Sequence, residues 1–301
     1  MNTIGNTFSF TSFGESHGRA IGGVLDGVPA GLHIDLAMIR EALERRAGRG
    51  ATGASPRALR EADEVEWLSG VMDSVTLGTP IAFIIRNTDA RPEDYEWLKH
   101  TYRTGHADKV YELKYGIRDW RGGGRASARE TASRVVAGCV VQQLLADKGV
   151  SIHAELIQVG AETDPTKFSE VIAAYQREGD SIGGIVECTI TGLPAGTGEP
   201  IFNKLQAELA FAVMSMNACK GFEYGTGFGG VTQPGSAINA ISGGIAGGIS
   251  DGTPITFRCV FKPTPSTPKA GVKGRHDACV ATRAVPVVEA MTAIVLADLL
   301  S

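Results

Sequence analysis

The sequence predicts a mixed fold of strands and helices built from two related strand–turn–helix halves. The first half contains Ile21-Gly-Gly-Val, the turn Gly27-Val-Pro-Ala-Gly31 and a helix that Asp35 can cap. The second half repeats this order and spacing with Ile182-Gly-Gly-Ile and Gly192-Leu-Pro-Ala-Gly196, again before a helix. Since no stretch composed like a flexible tether separates the halves, we predict one domain over residues 1–301.

Hydrophobic periodicity places the elements in order along the chain. Apolar runs predict strands at residues 8–11, 21–25, 65–71, 81–85, 151–159 and 255–261. The run at 81–85 is continuous, which is typical of a strand buried on both faces. Apolar residues at helical spacing predict helices that begin at Asp35, after Glu130, at Asp164, near Asn203 and at Pro286. In the first of these helices, the apolar face of Leu36, Ile39 and Leu43 leaves Arg40, Arg45 and Arg46 on or near the polar side.

A glycine-rich turn precedes the predicted central helix. Residues 121–131 read Arg-Gly-Gly-Gly-Arg-Ala-Ser-Ala-Arg-Glu-Thr, and glycines let the backbone approach a ligand closely. A helix N-terminus favours an anion, and Arg121, Arg125 and Arg129 add guanidinium groups suited to phosphate or carboxylate. We interpret this stretch as an anion site; the alternative is a solvated, arginine-rich turn.

Two loops carry a histidine next to a glycine. Phe13-Gly-Glu-Ser-His-Gly18 places Ser16 and His17 directly after a predicted strand. In Tyr102-Arg-Thr-Gly-His-Ala-Asp108, His106 follows a glycine and Asp108 is near enough in sequence to orient it. Histidines in polar loops held by a rigid scaffold are good candidates for acid–base chemistry.

Two tracts rich in small residues allow more than one reading. Residues 47–60 predict a mobile loop. Residues 225–252 are dominated by glycine and serine, which fits either a plain flexible loop or a glycine-lined cofactor surface.

Composition narrows the class of protein. The net charge of −4 argues against general nucleic-acid binding, whereas arginines clustered in residues 40–60 and 118–134 suit a small anionic ligand in a pocket. Five scattered cysteines without a CxxC motif predict reduced core thiols, and no metal site is predicted. No signal-like or membrane-spanning run occurs, so we expect a soluble, cytoplasmic protein.

Several distinctive motifs follow one another from the first residues to the last helix. They are Phe13-Gly-Glu-Ser-His-Gly18, Gly105-His-Ala-Asp108, Tyr115-Gly-Ile-Arg-Asp119, residues 121–130, Met214-Ser-Met-Asn-Ala218, Lys262-Pro-Thr and Gly274-Arg-His-Asp277. Taken together and in this order, they resemble the chorismate synthase family. Two other classes explain the motifs less well. For a phosphotransferase, the sequence lacks the P-loop lysine or the kinase-like Asp/Asn pair. A non-catalytic flavin- or phosphate-binding protein would not need two loop histidines beside arginine clusters.

The resemblance implies a fold and a reaction. The fold is an α+β sandwich of antiparallel β-sheets and helices with an internal pseudo-repeat, assembled as a homotetramer. The reaction is the 1,4-anti elimination of phosphate from 5-enolpyruvylshikimate 3-phosphate to give chorismate, the last step of the shikimate pathway. It needs reduced FMN without net redox change, and whether the protein reduces its own flavin with NADPH stays open.

The resemblance also implies roles for residues. His17 and His106 are the acid–base pair, one near the leaving phosphate and one protonating the reduced flavin. Asp277, helped by Ser16, assists deprotonation at flavin N5. Arg46, Arg49 and Arg129 hold substrate carboxylates and phosphate, although for Arg46 and Arg49 a nicotinamide phosphate is the alternative ligand. Flavin contacts are expected from Arg125, Ala126, Ser127, Asn217, Ala218, Gly247, Lys262, Pro263, Thr264, Pro265, Ser266 and Arg275.

The chain departs from the family pattern in a few places. Thr104 replaces a proline before Gly105-His106, which predicts a looser turn. Ala278 replaces a proline after Asp277, and Ala240-Ile241-Ser242 stands where the family has Ser-Asn-His. The chain is also short around residues 161–166, 236–242 and 266–273. These gaps fit either real loop deletions or omitted segments that close over the cofactor as a lid.

Overall fold

Two antiparallel sheets enclose a layer of helices in the computed structural model, which describes residues 1–50, 52–54, 60–237, 242–271 and 276–301. The first sheet has the order β1-β2-β3-β7-β4 and the second the order β10-β13-β9-β8, and the short strands β5–β6 and β11–β12 form two hairpins. The strands are β1 Thr3–Ile4, β2 Ser9–Phe13, β3 Ala20–Asp26, β4 Val65–Ser69, β5 Val71–Met72, β6 Val75–Thr76, β7 Ile81–Arg86, β8 Ser151–Val159, β9 Gly184–Thr191, β10 Cys219–Tyr224, β11 Ile245–Ala246, β12 Ile249–Ser250 and β13 Ile255–Phe261.

The α-helices of the described residues are α1 Leu36–Ala47, α2 Asp108–Tyr115, α3 Thr131–Asp147, α4 Phe168–Arg177, α5 Leu205–Met214 and α6 Ala281–Leu299. Asp35 caps α1 as predicted, because its Oδ1 accepts from the N–H groups of Ala37 and Met38 at 2.8 and 3.1 Å. Helix α3 packs on the first sheet, α6 packs on the second, and the two helices pack on each other. The α+β sandwich of antiparallel sheets is therefore confirmed.

The internal repeat extends to the whole topology. The order β2-β3-β7-β4 of the first half matches β8-β9-β13-β10 of the second, and in each half a helix and a short hairpin occupy the same places along the chain. The predicted relation between the halves is confirmed by this correspondence.

Each hairpin closes its Gly-Pro turn with the same pair of hydrogen bonds. In the first half, the Thr76 hydroxyl donates to the Pro29 carbonyl at 2.7 Å and accepts from the Leu32 N–H at 3.0 Å. In the second, the Ser250 hydroxyl donates to Pro194 O at 2.6 Å and accepts from the Thr197 N–H at 2.9 Å. Both hydroxyls are buried and satisfy backbone groups that water cannot reach.

The two halves meet where α3 crosses α6. Gly138 of α3 lies so close to Ala290 of α6 that a Cβ at residue 138 would be 2.3 Å from both Cα and Cβ of Ala290. Around this contact, buried side chains from both halves form one continuous core. A glycine is required here because it lets the two backbones approach each other.

Three details of the elements differ from the prediction. Pro286 does not open the last helix but lies inside α6, which begins at Ala281. Strand β7 alternates buried and half-buried residues, because an antiparallel sheet packs one face on the helices. Arg46 was expected near the polar side of its helix, yet it is 2% exposed.

All five cysteines are buried, as predicted. Burial raises the pKa of the Cys139 and Cys188 thiols to about 12, and it also raises the pKa of Cys219, Cys259 and Cys279. These thiols therefore stay protonated at neutral pH and belong to the core.

We expect Gly138→Ala to destabilise the protein although alanine is the better helix former. The propensity gain of about 1 kcal/mol is offset by overpacking against Ala290, which costs about 1–3 kcal/mol. Denaturant unfolding of both proteins measures the difference. Gly229→Ala is the control, because no heavy atom lies within 4 Å of its added Cβ; equal or higher stability of Gly138→Ala would contradict the close crossing.

Candidate active site

The site is a cavity of about 340 Å³ at the ends of loops from both halves. The first half contributes the β2–β3 loop, the α1–β4 loop and the long segment between β7 and α3. The second half contributes the α5–β10 loop and the β13–α6 loop, which are joined by a hydrogen bond from the Lys262 N–H to the Ala218 carbonyl at 3.0 Å.

Most of the residues expected in the site line this cavity. They are His17, Arg46, His106, Ala126, Ser127, Arg129, Asn217, Ala218, Lys262, Thr264, Pro265, Ser266 and Asp277. Residues more than 250 positions apart in the chain are thus brought to one place.

Other expected residues do not line it. Arg125 turns away from the cavity and donates to the carbonyls of Gly14 and Ser12, so it fastens the glycine turn to β2. Ser16 lies behind His17, and Arg49 pairs with Glu44 at 3.0 Å. Pro263 and Gly247 are also outside the lining, and Arg275 lies outside the described residues.

The two tracts rich in small residues, 47–60 and 225–252, add little to the lining of the cavity. Residues 225–237 and 242–252, the described part of the second tract, contribute nothing to the cavity. Part of the predicted mobile loop at residues 47–60, namely residues 51 and 55–59, lies outside the described residues. Residues 240–241, where the family's Ser-Asn-His is replaced, also lie outside them.

The anion site predicted at the glycine turn is only partly formed as expected. Arg121 pairs with Asp119 at 2.8 Å, and Arg125 is engaged with β2, so of the three arginines only Arg129 lines the cavity. The Ser127 hydroxyl accepts from the Arg129 N–H at 3.3 Å and caps the short 3-10 turn before α3. The glycine turn therefore contributes mainly backbone to the cavity, and only one of its three arginine side chains.

Sequence reasoning missed several lining residues: Glu61, Tyr95, Arg103, His276 and Arg283. Arg283 is buried on the apolar helix α6 and donates from Nη1 to both Asp277 oxygens at 2.7 and 2.8 Å. A buried arginine in an otherwise apolar helix needs a partner, and that was the available signal.

His17 is held on three sides. Its Nδ1 lies 3.1 Å from the Ser16 hydroxyl, and the Tyr95 ring packs edge-on with centroids 4.7 Å apart. Gly122, at φ 79°, lies against the third side, because a Cβ there would be 2.4 Å from His17 Nδ1. The imidazole is 6% exposed and therefore has little room to rotate.

His106 lies against the next glycine of the same turn. A Cβ at Gly123 would be 3.3 Å from His106 Cε1. Two consecutive glycines thus make room for the two histidines, one each. The turn before His106 is closed by a hydrogen bond from the His106 N–H to the Arg103 carbonyl at 3.4 Å, and Asp108 contacts both Arg103 and His106.

Asp63 joins two buried arginines beside the cavity. It lies 3.0 Å from Arg46 Nη1, contacts Arg129 Nη1 closely, and Glu61 is 3.1 Å from the same Arg129 atom. Burial lowers the pKa of Arg46 to about 10, although Asp63 opposes this effect. Burial alone would raise the pKa of Asp63, but the two arginines lower it below its ordinary value.

Two polar atoms in the lining have no partner in the described structure. The Asn217 Oδ1 and Ser266 Oγ atoms are buried without a hydrogen bond, although Asn217 Nδ2 donates to the Ala126 carbonyl at 2.9 Å. Buried polar groups are normally satisfied, so these two point to a ligand with hydrogen-bonding groups. Both were among the residues expected to contact flavin.

Comparison with known proteins agrees with this geometry. The sequence profile of the family described as Chorismate synthase matches residues 8–300. The chorismate synthases of Christiangramia forsetii and Porphyromonas gingivalis are each 46% identical to the chain, over 99% of it and 96% and 95% of their own lengths. The chain belongs to the chorismate synthase family. It is thus an enzyme of the carbon–oxygen lyase class that acts on a small molecule in the shikimate pathway.

A solved chorismate synthase structure has the same fold. Its TM-score against this chain is 0.77, with 30% identity over 99% of this chain and 92% of the other. Among the described residues, none of the helices is sufficiently long and apolar to span a bilayer.

The relatives also bear on the short loops. The alignment with the Christiangramia forsetii enzyme runs over 345 residues, so the relative has segments with no counterpart in these 301 residues. At residues 161–166 the chain forms a tight turn, in which the Val159 N–H donates to Glu162 O at 2.9 Å. The other two short stretches, 236–242 and 266–273, include residues 238–241 and 272–273, which the structure does not describe.

We expect Asp63→Asn to lower the free energy of unfolding by about 3–5 kcal/mol at pH 7, the usual cost of breaking a buried ion pair. The lowered pKa of Asp63 stabilises the fold above about pH 4, and this contribution is lost as pH falls. The deficit of the variant should therefore shrink below that pH. Urea unfolding between pH 3 and 7 measures it, and a deficit that is independent of pH would contradict the ion-pair role.

Glu66→Gln is the matched control. Glu66 also pairs with an arginine, Arg86, and its pKa is also lowered, but the pair is exposed. Solvent screens such a pair, so this variant should unfold like the parent at every pH.

Proposed function

We propose that the chain converts 5-enolpyruvylshikimate 3-phosphate to chorismate by 1,4-anti elimination of phosphate in the presence of reduced FMN. The observation that carries the proposal is the pair of histidines, His17 and His106, packed on consecutive glycines at one cationic cavity. An elimination of phosphate needs positive charge at the leaving group and proton carriers held in register.

The cavity favours a substrate with three anionic groups. Arg46, Arg103, Arg129, Lys262 and Arg283 line it, against the carboxylates of Glu61 and Asp277. The excess of cations stabilises two substrate carboxylates and the departing phosphate, and because the arginines are buried this charge is little screened. Arg46 and Arg129 are tied to Asp63, so they are fixed in place before a ligand binds.

The part of the cavity that is formed by the second half of the chain is suited to bind the cofactor. Asn217 Oδ1 and Ser266 Oγ would accept or donate hydrogen bonds to a flavin, with Lys262, Thr264 and Ala218 beside them. When bound there, reduced FMN would supply electron density to the breaking C–O bond and would be the acceptor for the C6 hydrogen. Burial lowers the pKa of Lys262, whose Nζ lies 3.2 Å from the Pro263 carbonyl.

The chain's own groups manage the protons. His17 and His106 act as acid and base, with His17 held at Nδ1 by Ser16 and His106 at Nδ1 by Asp108. Asp277 accepts a proton on the cofactor side, and Arg283 fixes its carboxylate with two hydrogen bonds. Ser16 acts through His17, since it lies behind the imidazole.

Further properties are proposed from the family alone. These are a homotetramer, a cytoplasmic location and NADPH as reductant of the flavin. We also propose that residues 1–301 act as one domain, which the continuous core of the two halves supports. Arg49, Arg125, Gly247 and Pro263 stay predictions for ligand contacts without support from the cavity lining.

An anaerobic assay tests the reaction. Protein, dithionite-reduced FMN and 5-enolpyruvylshikimate 3-phosphate should give chorismate absorbance and one phosphate per chorismate. His17→Ala and His106→Ala should fold and bind FMN but lose about 10²–10⁴-fold in kcat, the usual contribution of an acid–base residue. If the parent protein releases no phosphate under these conditions, the proposal is wrong; full activity of either variant would remove that histidine from the mechanism.

Gly122→Ala should abolish most turnover without unfolding the protein. Its Cβ would be 2.4 Å from His17 Nδ1, so the imidazole must leave its position. Gly116→Ala is the matched control, because its φ of 73° costs the same backbone strain while nothing lies within 4 Å of the added Cβ. Comparison of kcat and melting temperature separates displacement of His17 from strain. Equal kcat in the two variants would show that Gly122 does not set the position of His17.

A further inference from the structure

Arg103 and Asp108 form a closed set of hydrogen bonds beside the cavity. Asp108 Oδ2 accepts from the Arg103 backbone N–H at 3.0 Å and from its Nε at 2.9 Å, and Oδ1 accepts from Nη2 at 2.8 Å. The two side chains are 9% and 4% exposed. Asp108 is the first residue of α2 and does not itself line the cavity, whereas Arg103 and His106 do.

Counting donors fixes the tautomer of His106. The Nη2 atom of Arg103 carries two hydrogens, and both have acceptors: Asp108 Oδ1 at 2.8 Å and the Gly122 carbonyl at 3.0 Å. Nη2 is also 3.1 Å from His106 Nδ1, but no hydrogen is left for that contact. His106 Nδ1 must therefore carry a proton and donate it to Asp108 Oδ1 at 2.9 Å, which leaves Nε2 as the atom that exchanges protons with a ligand.

Asp108 is a carboxylate throughout the working pH range. Burial alone would raise its pKa, but hydrogen bonds from Arg103 and His106 lower the pKa of Asp108 well below its ordinary value. Arg103 donates to both oxygens of Asp108 and balances its charge, and the same carboxylate orients the imidazole of His106.

The same arginine reaches the other histidine. Its bond to the Gly122 carbonyl fixes the peptide that lies against His17, since Gly122 is the residue whose Cβ would meet His17 Nδ1. One guanidinium group is therefore linked to His106 through Asp108 and to His17 through Gly122.

We propose that Arg103 and Asp108 are positioning residues that fix both histidines: Asp108 sets the tautomer of His106, and Arg103 holds the glycine turn against His17. The positioning role of Arg103 and Asp108 rests on the proposed function only where it predicts an effect on turnover. A purely structural role for the pair is the competing explanation, and Arg118 provides the comparison. Its side chain is 6% exposed and ties the same segment through Glu112 and the Thr101 carbonyl.

Asp108→Asn tests the tautomer. The amide oxygen should stay with the two Arg103 donors at the Oδ2 position, which puts the amide nitrogen next to His106 Nδ1. The imidazole must then accept at Nδ1 and carry its proton on Nε2. The nitrogen NMR spectrum of the histidine rings, assigned with His106→Gln, should show this change, and kcat should fall about 100-fold or more with little change in KM.

Arg103→Lys tests the link to His17. Lysine keeps the charge but cannot reach Asp108 and the Gly122 carbonyl with the same fork, so the ring signals of His17 should shift and kcat should fall. Arg118→Lys, the control, should lower the melting temperature while both histidine spectra and kcat stay as in the parent.

The outcomes separate the two proposals. An unchanged His106 tautomer in Asp108→Asn overturns the positioning role, as does an equal loss of kcat in Arg103→Lys and Arg118→Lys. A rise in KM alone would make Arg103 a substrate contact instead. The NMR measurement needs no turnover, so an inactive parent protein would overturn the proposed function while the tautomer is still decided.

Discussion

The close crossing of α3 and α6 at Gly138 and Ala290 determines how the two halves of the molecule fit together. Only because residue 138 has no side chain can the two helices lie close enough for their sheets to share one core. The loops at the ends of both sheets then meet in one cavity. A wider crossing would separate the histidines of the first half from Asn217 and Ser266 of the second. Packing deep in the core thus determines the geometry of chemistry at its edge.

Charge balance is the second condition for the site. Buried arginines are costly unless paired, and Asp63 pairs with two of them at once. Asp108 does the same for Arg103, and Asp277 for Arg283. Each carboxylate holds a guanidinium group in a defined place, and the remaining hydrogens and the excess of positive charge are left for the ligand. The same acids that reduce the field of the cavity make its geometry rigid.

Much of the fold and of the site could be predicted from the sequence, because periodicity and motif order are local signals. Strands β8 and β13 were predicted with their observed bounds, and the Gly-Pro echo revealed the repeat. Long-range pairing could not be predicted. Arg46 looked like part of a polar helix face, and nothing local shows that Asp63 would bury it. Tyr95 was missed for the same reason, whereas Arg283 was missed although an arginine in an apolar helix signals a buried partner. Pro286 was misleading because α6 begins five residues before it.

The matched topology of the halves has a consequence for how ligands can lie in the cavity. An exact repeat would present identical groups to both sides of a flat ligand, which could then bind in either of two orientations. Here the end of α1 and the loop after it bring Arg46 and Glu61, whereas their counterpart, the α5–β10 loop, brings Asn217 and Ala218. Divergence of equivalent segments has therefore given a symmetric scaffold a direction: the first-half segment presents charged groups and its second-half counterpart presents neutral, polar ones, so a ligand that contacts both can bind in only one orientation.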